Sequence, residues 1–295
     1  MRTVPLYLNP QRKWTGKRLL QLTIAILALV VAITVMISWM LINHRQNNPP
    51  ADTSINDSSQ HIEPMTAKNC SLVILDFTDN VQFLLVQSNA AAQTVTTMAV
   101  PNTITDEDGT PLLTLLEKHG PMRVVDTISD RLELSVDHYV RWSAKGLQSF
   151  LEELHNGILY TLPEEIRYAD ENGISLRLSA GEQKLTGAQA TAVLQYTSWS
   201  DSTYLLSTAP QLFAAAINQY VTSDQSLDGL FAALANTAQT DLRIDNYNAF
   251  RPILIHLAQS NQGSLCQSIS LIGTEENGRF TPDIAAMRRQ TNLYS

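Results

Sequence analysis

The sequence is poor in the residues that build metal centres, disulfide frameworks and nucleic-acid interfaces. Its 295 residues include two cysteines and six histidines, and 20 lysines and arginines face 28 aspartates and glutamates. No Cys-x-x-Cys pair occurs, so no metal motif is supported. The net charge of −8 and the absence of a basic run after residue 50 disfavour a polyanionic partner, and we expect no binding to nucleic acid.

The sequence also lacks several short motifs that are typical of common enzyme classes. It contains no Gly-x-Ser-x-Gly elbow, no phosphate-binding Gly-x-x-x-x-Gly-Lys and no His-Glu-x-x-His. Acidic residues cluster at 106–108 and at 164–165, beside glycine or proline. Such clusters are usually solvated turns, so they do not point to catalysis.

No acidic residue occurs before position 51, whereas five lysines and arginines lie within residues 1–18. The stretch from Leu19 to Ile42 has no ionisable side chain and is long enough to cross a bilayer. It is too long for the apolar region of a cleaved signal peptide. We therefore expect a basic cytoplasmic tail (1–18), a transmembrane helix (19–42), a polar linker (43–66) and an extracellular domain (67–295) in the cell membrane.

The extracellular part mixes strand-like and helix-like patterns. Cys70–Leu75, Val81–Val86 and Val95–Val100 are short apolar runs that predict buried strands. Residues 143–157 and 207–221 have helical spacing, the second with a Ser or Thr cap and Pro210 in its first turn. Further helices are expected near 226–237 and 249–259, and a late strand near 265–272. The pattern predicts an α/β fold, with helices packed on a sheet.

Few residues suggest binding chemistry by themselves. Asp76 and Asp79 end the first predicted strand, where strand ends border ligand crevices, and could bind a cation. Arg141 could bind an anion or form a surface ion pair. Cys70 and Cys266 could form a disulfide outside the membrane or remain two buried thiols.

The order of segments resembles the LytR-CpsA-Psr family over about residues 70–222, with a C-terminal extension over about 223–295. The most specific stretch is "LSAGEQKLTGAQATAVLQY" (178–196), and "DHYVRW" followed by "KGLQSFLEEL" is the second. The resemblance implies a central mixed sheet flanked by helices and a lipid in an apolar channel. It also implies, in a Gram-positive envelope, transfer of a glycopolymer from a polyprenyl-pyrophosphate carrier to peptidoglycan, with Mg²⁺ at the pyrophosphate.

The arginines and aspartates that the family uses are missing here. The family's site positions fall on uncharged residues or on one early aspartate: Asp79, Val81, Asn102, Thr103, Thr197 and Trp199. A pyrophosphate needs its charge neutralised by such cations. The sequence therefore favours a catalytically degenerate, lipid-binding or accessory member, with a further envelope protein as a candidate partner.

Two alternatives stay open. An active phosphotransferase would use Arg123, Arg131 or Arg141 from new positions, and Mg²⁺ would be expected only then. A purely structural or protein-binding ectodomain would have its channel filled. The low-specificity candidates for ligand contact are Arg123, Arg141, Tyr196, Trp199 and Phe213.

Overall fold

A computed structural model describes residues 68–77, 80–169, 175–221, 224–260, 265–291 and 293–294. The strands are β1 (Lys68–Phe77), β2 (Asn80–Asn89), β3 (Thr94–Val100), β4 (His138–Ser143), β5 (Ile158–Leu162), β6 (Ile166–Ala169), β7 (Ser175–Leu178), β8 (Gly181–Leu185), β9 (Gln239–Thr240), β10 (Cys266–Ile269), β11 (Gly273–Glu276) and β12 (Arg279–Pro282). The helices are α1 (Leu112–His119), α2 (Pro121–Leu132), α3 (Ala144–Glu152), α4 (Gly187–Gln195), α5 (Ser202–Tyr220), α6 (Asp224–Thr237), α7 (Ile244–Ser260) and α8 (Ile284–Gln290).

Six strands form one mixed sheet in the order β10-β3-β2-β1-β4-β9. Strand β1 is antiparallel to β2 and parallel to β4, and β3 is parallel to β10. The remaining strands form three two-stranded ladders, β5-β8, β6-β7 and β11-β12. The mixed α/β class is confirmed, and the three predicted strands at the start of the domain all form.

Strand β1 separates the two main layers of core because its side chains alternate between the faces of the sheet. Leu72 and Ile74 lie in a cluster with α1, α2 and α8. Val73 and Leu75 lie in a second cluster with α3, α4 and α5. Since β1 is buried on both sides, its sequence is a continuous apolar run rather than an alternating one.

Helix α4 begins at a complete capping box. The Thr186 hydroxyl accepts a hydrogen bond from Gln189 N, and the Gln189 side chain accepts one from Thr186 N at 2.9 Å. These bonds satisfy two of the donors that a helix start leaves free. Gly187 follows the cap and lies directly against α3. The stretch from Gly181 to Gly187 thus leads into α4, which packs against α3.

Two predicted boundaries were wrong. Helix α5 begins at Ser202, capped by Asp201, so Pro210 lies inside the helix rather than in its first turn. Proline has no N–H to donate to the carbonyl of Leu206, and Leu206 is an exposed residue. The helix expected over residues 143–157 covers only Ala144–Glu152.

The two cysteines are free, and each is buried. Register places Cys70 beside Gln87, then Thr96, then Gln267, the neighbour of Cys266. Three steps of about 4.8 Å separate these strands, whereas a disulfide requires Cα atoms within about 7 Å. The thiols also face opposite sides of the sheet, so the disulfide alternative is wrong for this structure.

The predicted tail, transmembrane helix and linker lie outside the described residues, as does Asp79. Within the described part of the chain, no helix has the length and apolar character needed to cross a membrane. All described residues belong to one compact unit.

Candidate functional site

One edge of the sheet gathers the positions that the resemblance assigns to the reaction centre. Val81 pairs with Asp76 across β1 and β2. The Asn102 side-chain amide donates to Val81 O at 2.9 Å. Phe280 N donates to Thr103 O at 3.1 Å, which brings β12 to the same edge. The fold therefore brings Val81, Asn102 and Thr103 together, although none of the three carries a charge.

The carboxyl end of α4 reaches the same edge. The Gln82 side-chain amide, next to Val81, donates to Leu194 O at 2.6 Å. Two residues further on, Tyr196 meets Trp199 edge to face with ring centroids 5.0 Å apart. Both rings pack at the margin of the core cluster below α4 and α5. Trp199, one of the two positions to which the resemblance assigns an arginine, thus packs against Tyr196.

Asp76 and Arg141 bind each other. Arg141 Nε lies 2.9 Å from Asp76 Oδ2, and a terminal guanidinium nitrogen also donates to that oxygen. The two side chains are 31% and 30% exposed, respectively. The acid suggested as a cation ligand and the arginine suggested as an anion ligand thus neutralise each other. No group of three or more potential metal ligands occurs among the described residues.

The acidic turn at 106–108 has a structural role in the 105–110 loop. Asp106 is buried and accepts a hydrogen bond from Thr110 N at 2.8 Å, with Arg123 at 3.5 Å. The Thr110 N–H, with a smaller contribution from Arg123, lowers the pKa of Asp106. Arg131 Nε donates to Thr105 O at 2.8 Å. Both arginines therefore fasten this loop to α2.

An apolar cavity of about 270 Å³ lies between the sheet and the helices. Its walls come from one face of β1 to β4 and from α3, α5, α6 and α7. None of the described residues that line it carries a formal charge. The lining is dominated by aliphatic and aromatic side chains: Val73, Val86, Val95, Val140, Trp142, Phe150, Leu151, Leu154, Leu212, Phe213, Ala216, Ile217, Val221, Leu227, Leu230, Phe231, Leu234, Leu242, Phe250, Leu254 and Leu265.

The candidate ligand residues fall into two groups. Phe213 lines the cavity, whereas Tyr196 and Trp199 do not. Arg123 and Arg141 are also absent from the lining and have carboxylate partners. The structure therefore brings no candidate arginine to the apolar cavity.

A cluster around Asp228 was not predicted from the sequence. Asp228 accepts hydrogen bonds from Tyr247 Oη at 2.5 Å and from Arg251 Nε at 2.8 Å. Phe231 stacks on Tyr247 with centroids 4.2 Å apart. These contacts join α6 to α7 across one wall of the cavity. Helical spacing could suggest each helix, but it gives no indication that Asp228 and Arg251 meet.

The fold and cavity define a mixed α/β protein with an apolar cavity between its sheet and its helices. The comparison with family models gives a more specific result. The chain belongs to the LytR_cpsA_psr family, whose model matches residues 89–280. We find no match among curated proteins.

Solved structures share the fold at low sequence identity. A protein from Eubacterium siraeum, described as a transcription regulator, has a TM-score of 0.66 and 19% identity, over 81% of this chain and 97% of that one. Bacillus subtilis TagV has a TM-score of 0.61 and 16% identity, over 76% and 94%. TagT bound to LI-WTA has a TM-score of 0.55 and 15% identity, over 79% and 92%.

Proposed function

We propose that this protein is a membrane-anchored, extracellular, non-catalytic member of its family that binds a lipid in the apolar cavity during assembly of a cell-wall glycopolymer. The observation that carries the proposal is the cavity of about 270 Å³, whose described lining is uncharged and comes mainly from the sheet and four helices. Such a cavity suits an apolar chain, because about 0.8 kcal/mol is gained for each CH₂ group removed from water. A glycopolymer context is supported by the family and by a similar fold bound to LI-WTA.

We infer the absence of transferase activity from the contacts that three arginines make. Transfer of a phosphoryl group needs cations aimed at developing charge, and removing one such donor typically costs about 3 to 4 kcal/mol of barrier stabilisation. Arg123 and Arg141 instead face carboxylates, and Arg131 donates to a backbone carbonyl. No Mg²⁺ requirement is therefore expected.

Native mass spectrometry of the full chain extracted in detergent tests lipid binding. We expect a copurified lipid that leaves on activation in the gas phase. Ala216 lies in the cavity wall on α5, so Ala216→Trp should abolish the adduct. Ala188 is exposed on α4, and Ala188→Trp is the matched control that should retain it. A folded wild-type chain without any lipid adduct would favour a structural or protein-binding role instead.

An active transferase is the second candidate, because Asp76 and Arg141 lie at the edge where the family's site positions gather. Incubation of the full chain with a lipid-linked glycopolymer, peptidoglycan and Mg²⁺ distinguishes it. We expect no ligated product. Product formation that disappears in Arg141→Ala would establish the enzyme and refute the non-catalytic proposal.

A further inference from the structure

One end of the apolar cavity carries polar side chains. Asn69, Ser71 and Ser88 are the amide- or hydroxyl-bearing aliphatic residues among its described lining. Asn69 and Ser88 face each other across β1 and β2, and Ser71 pairs with His138 across the parallel strands β1 and β4. Paired residues in neighbouring strands point to the same face of the sheet. Strand register therefore places the His138 side chain on the same face of the sheet as Ser71, next to the residues that line the cavity.

Packing around His138 supports this placement. The ring of Phe250, which lines the cavity, lies 5.7 Å from the His138 ring. His138 Nδ1 is buried and makes no hydrogen bond within the described part of the chain. Its nearest acid is Asp241, with Nδ1 and Oδ2 3.6 Å apart, which is too far for a hydrogen bond. A buried nitrogen without a partner is unfavourable unless a ligand or a water satisfies it.

The other polar atoms of the cavity wall already have partners. The Trp142 indole N–H donates to Thr237 Oγ1 at 3.1 Å. The Tyr220 hydroxyl donates to Gly157 O at 2.7 Å, and the Tyr247 hydroxyl donates to Asp228. Hydrogen-bonding capacity for a ligand is thus concentrated at Ser71 and His138.

The charges near this end disfavour an anionic ligand. Asp137 accepts a hydrogen bond from the Asn69 amide at 3.2 Å, and Asp241 lies beside His138. No lysine or arginine occurs among the described residues that line the cavity. A phosphate or carboxylate placed here would lie near Asp137 and Asp241, and none of the described lining residues is a cation that could balance its charge.

We propose that the cavity binds a long-chain lipid alcohol, with its apolar chain among the helices and its neutral hydroxyl group between Ser71 and His138. A hydroxyl both donates and accepts hydrogen bonds, which suits an imidazole nitrogen beside a serine. The inference rests on the proposed function, since it assumes that the cavity takes a lipid, but it goes further by excluding a phosphorylated head group at this end.

Competition binding with the full chain in detergent tests the inference. The probes are 1-tetradecanol and tetradecyl phosphate, which have the same chain, and each displaces an environment-sensitive fluorophore from the delipidated protein. We expect the alcohol to bind at least about tenfold more tightly than the phosphate. Ser71→Ala should weaken binding of the alcohol by about five- to tenfold and leave the phosphate unchanged. Ser268→Ala, an exposed serine on β10, is the control and should change neither.

The results separate the inference from the proposed function. Equal or tighter binding of the phosphate, or an unchanged affinity of Ser71→Ala for the alcohol, would overturn the inference while lipid binding stands. Failure of both probes to bind a folded protein would overturn the proposed function and the inference together. A melting curve of each variant establishes that it is folded. His138→Phe is a second test variant, because it removes the imidazole nitrogens but keeps an aromatic ring.

Discussion

Replacing Gly187 by alanine should destabilise the fold, because α3 and α4 approach each other closely at this residue. A Cβ atom there would lie 2.8 Å from Glu152 N, 2.9 Å from Gln148 O and 2.7 Å from Glu152 Cγ. The Glu152 side-chain carbon can move, but Glu152 N and Gln148 O are backbone atoms of α3. The added methyl group therefore has to push the two helices apart.

The magnitude follows from the geometry of this contact. Overpacking a well-packed site costs about 1 to 3 kcal/mol. Alanine normally gains up to about 1 kcal/mol over glycine in a helix interior, but Gly187 is the first helical residue, directly after the Thr186 cap, where that gain is small. We expect a net loss of about 1 to 3 kcal/mol, which lowers Tm by about 2 to 4 °C per kcal/mol in a domain of this size.

Gly229 provides a matched control of opposite sign. It lies in α6, and a Cβ built there meets nothing within 4 Å. Gly229→Ala should stabilise the protein by about 0.5 to 1 kcal/mol through helix propensity. Thermal and urea unfolding of the full chain, followed by circular dichroism, measures both variants. If Gly187→Ala unfolds at or above the wild-type midpoint, the proposed close contact between α3 and α4 is wrong.

Three further outcomes are expected. Thr186→Ala should lower the free energy of unfolding by about 1 kcal/mol, measured with urea, because α4 loses its cap. The Arg251 guanidinium, with help from a tyrosine hydroxyl, lowers the pKa of Asp228 below its ordinary value of 3.8. The ionised acid therefore adds stability at neutral pH that is lost as pH falls through the depressed pKa, so Asp228→Asn should flatten the acid side of the stability profile. Burial raises the pKa of Cys70 and of Cys266 to about 12, so mass spectrometry should find no iodoacetamide adduct on the native protein at pH 8 and two adducts in guanidinium. A disulfide would instead leave the denatured, unreduced chain unlabelled.

The strands were predictable where local pattern decides the structure. The sequence shows β1, β2 and β3 as apolar runs separated by turn residues. Because β1 is buried on both faces, its apolar run is continuous and is recognised easily. Pro210 was misleading because proline is common in first turns, whereas here Asp201 caps the helix earlier. The turn of α5 that precedes this proline includes the exposed residues Leu205 and Leu206.

The site was predictable only in part, because it depends on tertiary pairing. Matching the chain to a family motif located Val81 and Asn102, which do meet at one edge of the sheet. No local pattern indicates that Ser71 lies beside His138, since strand register decides that contact. The burial of Asp106 was likewise missed, because an acidic Gly-containing turn normally faces water and only its backbone hydrogen bonds disclose another role.

Both outer strands of the main sheet come from the last third of the chain. β10 borders β3, and β9 borders β4. Without them, the backbone donors and acceptors of β3 and β4 would be left unpaired and ready to add a foreign strand. A shortened protein ending at Tyr220 would also lose α6 and α7, which form one wall of the apolar cavity. We therefore expect the final 75 or so residues to protect this chain from self-association as well as to complete its fold.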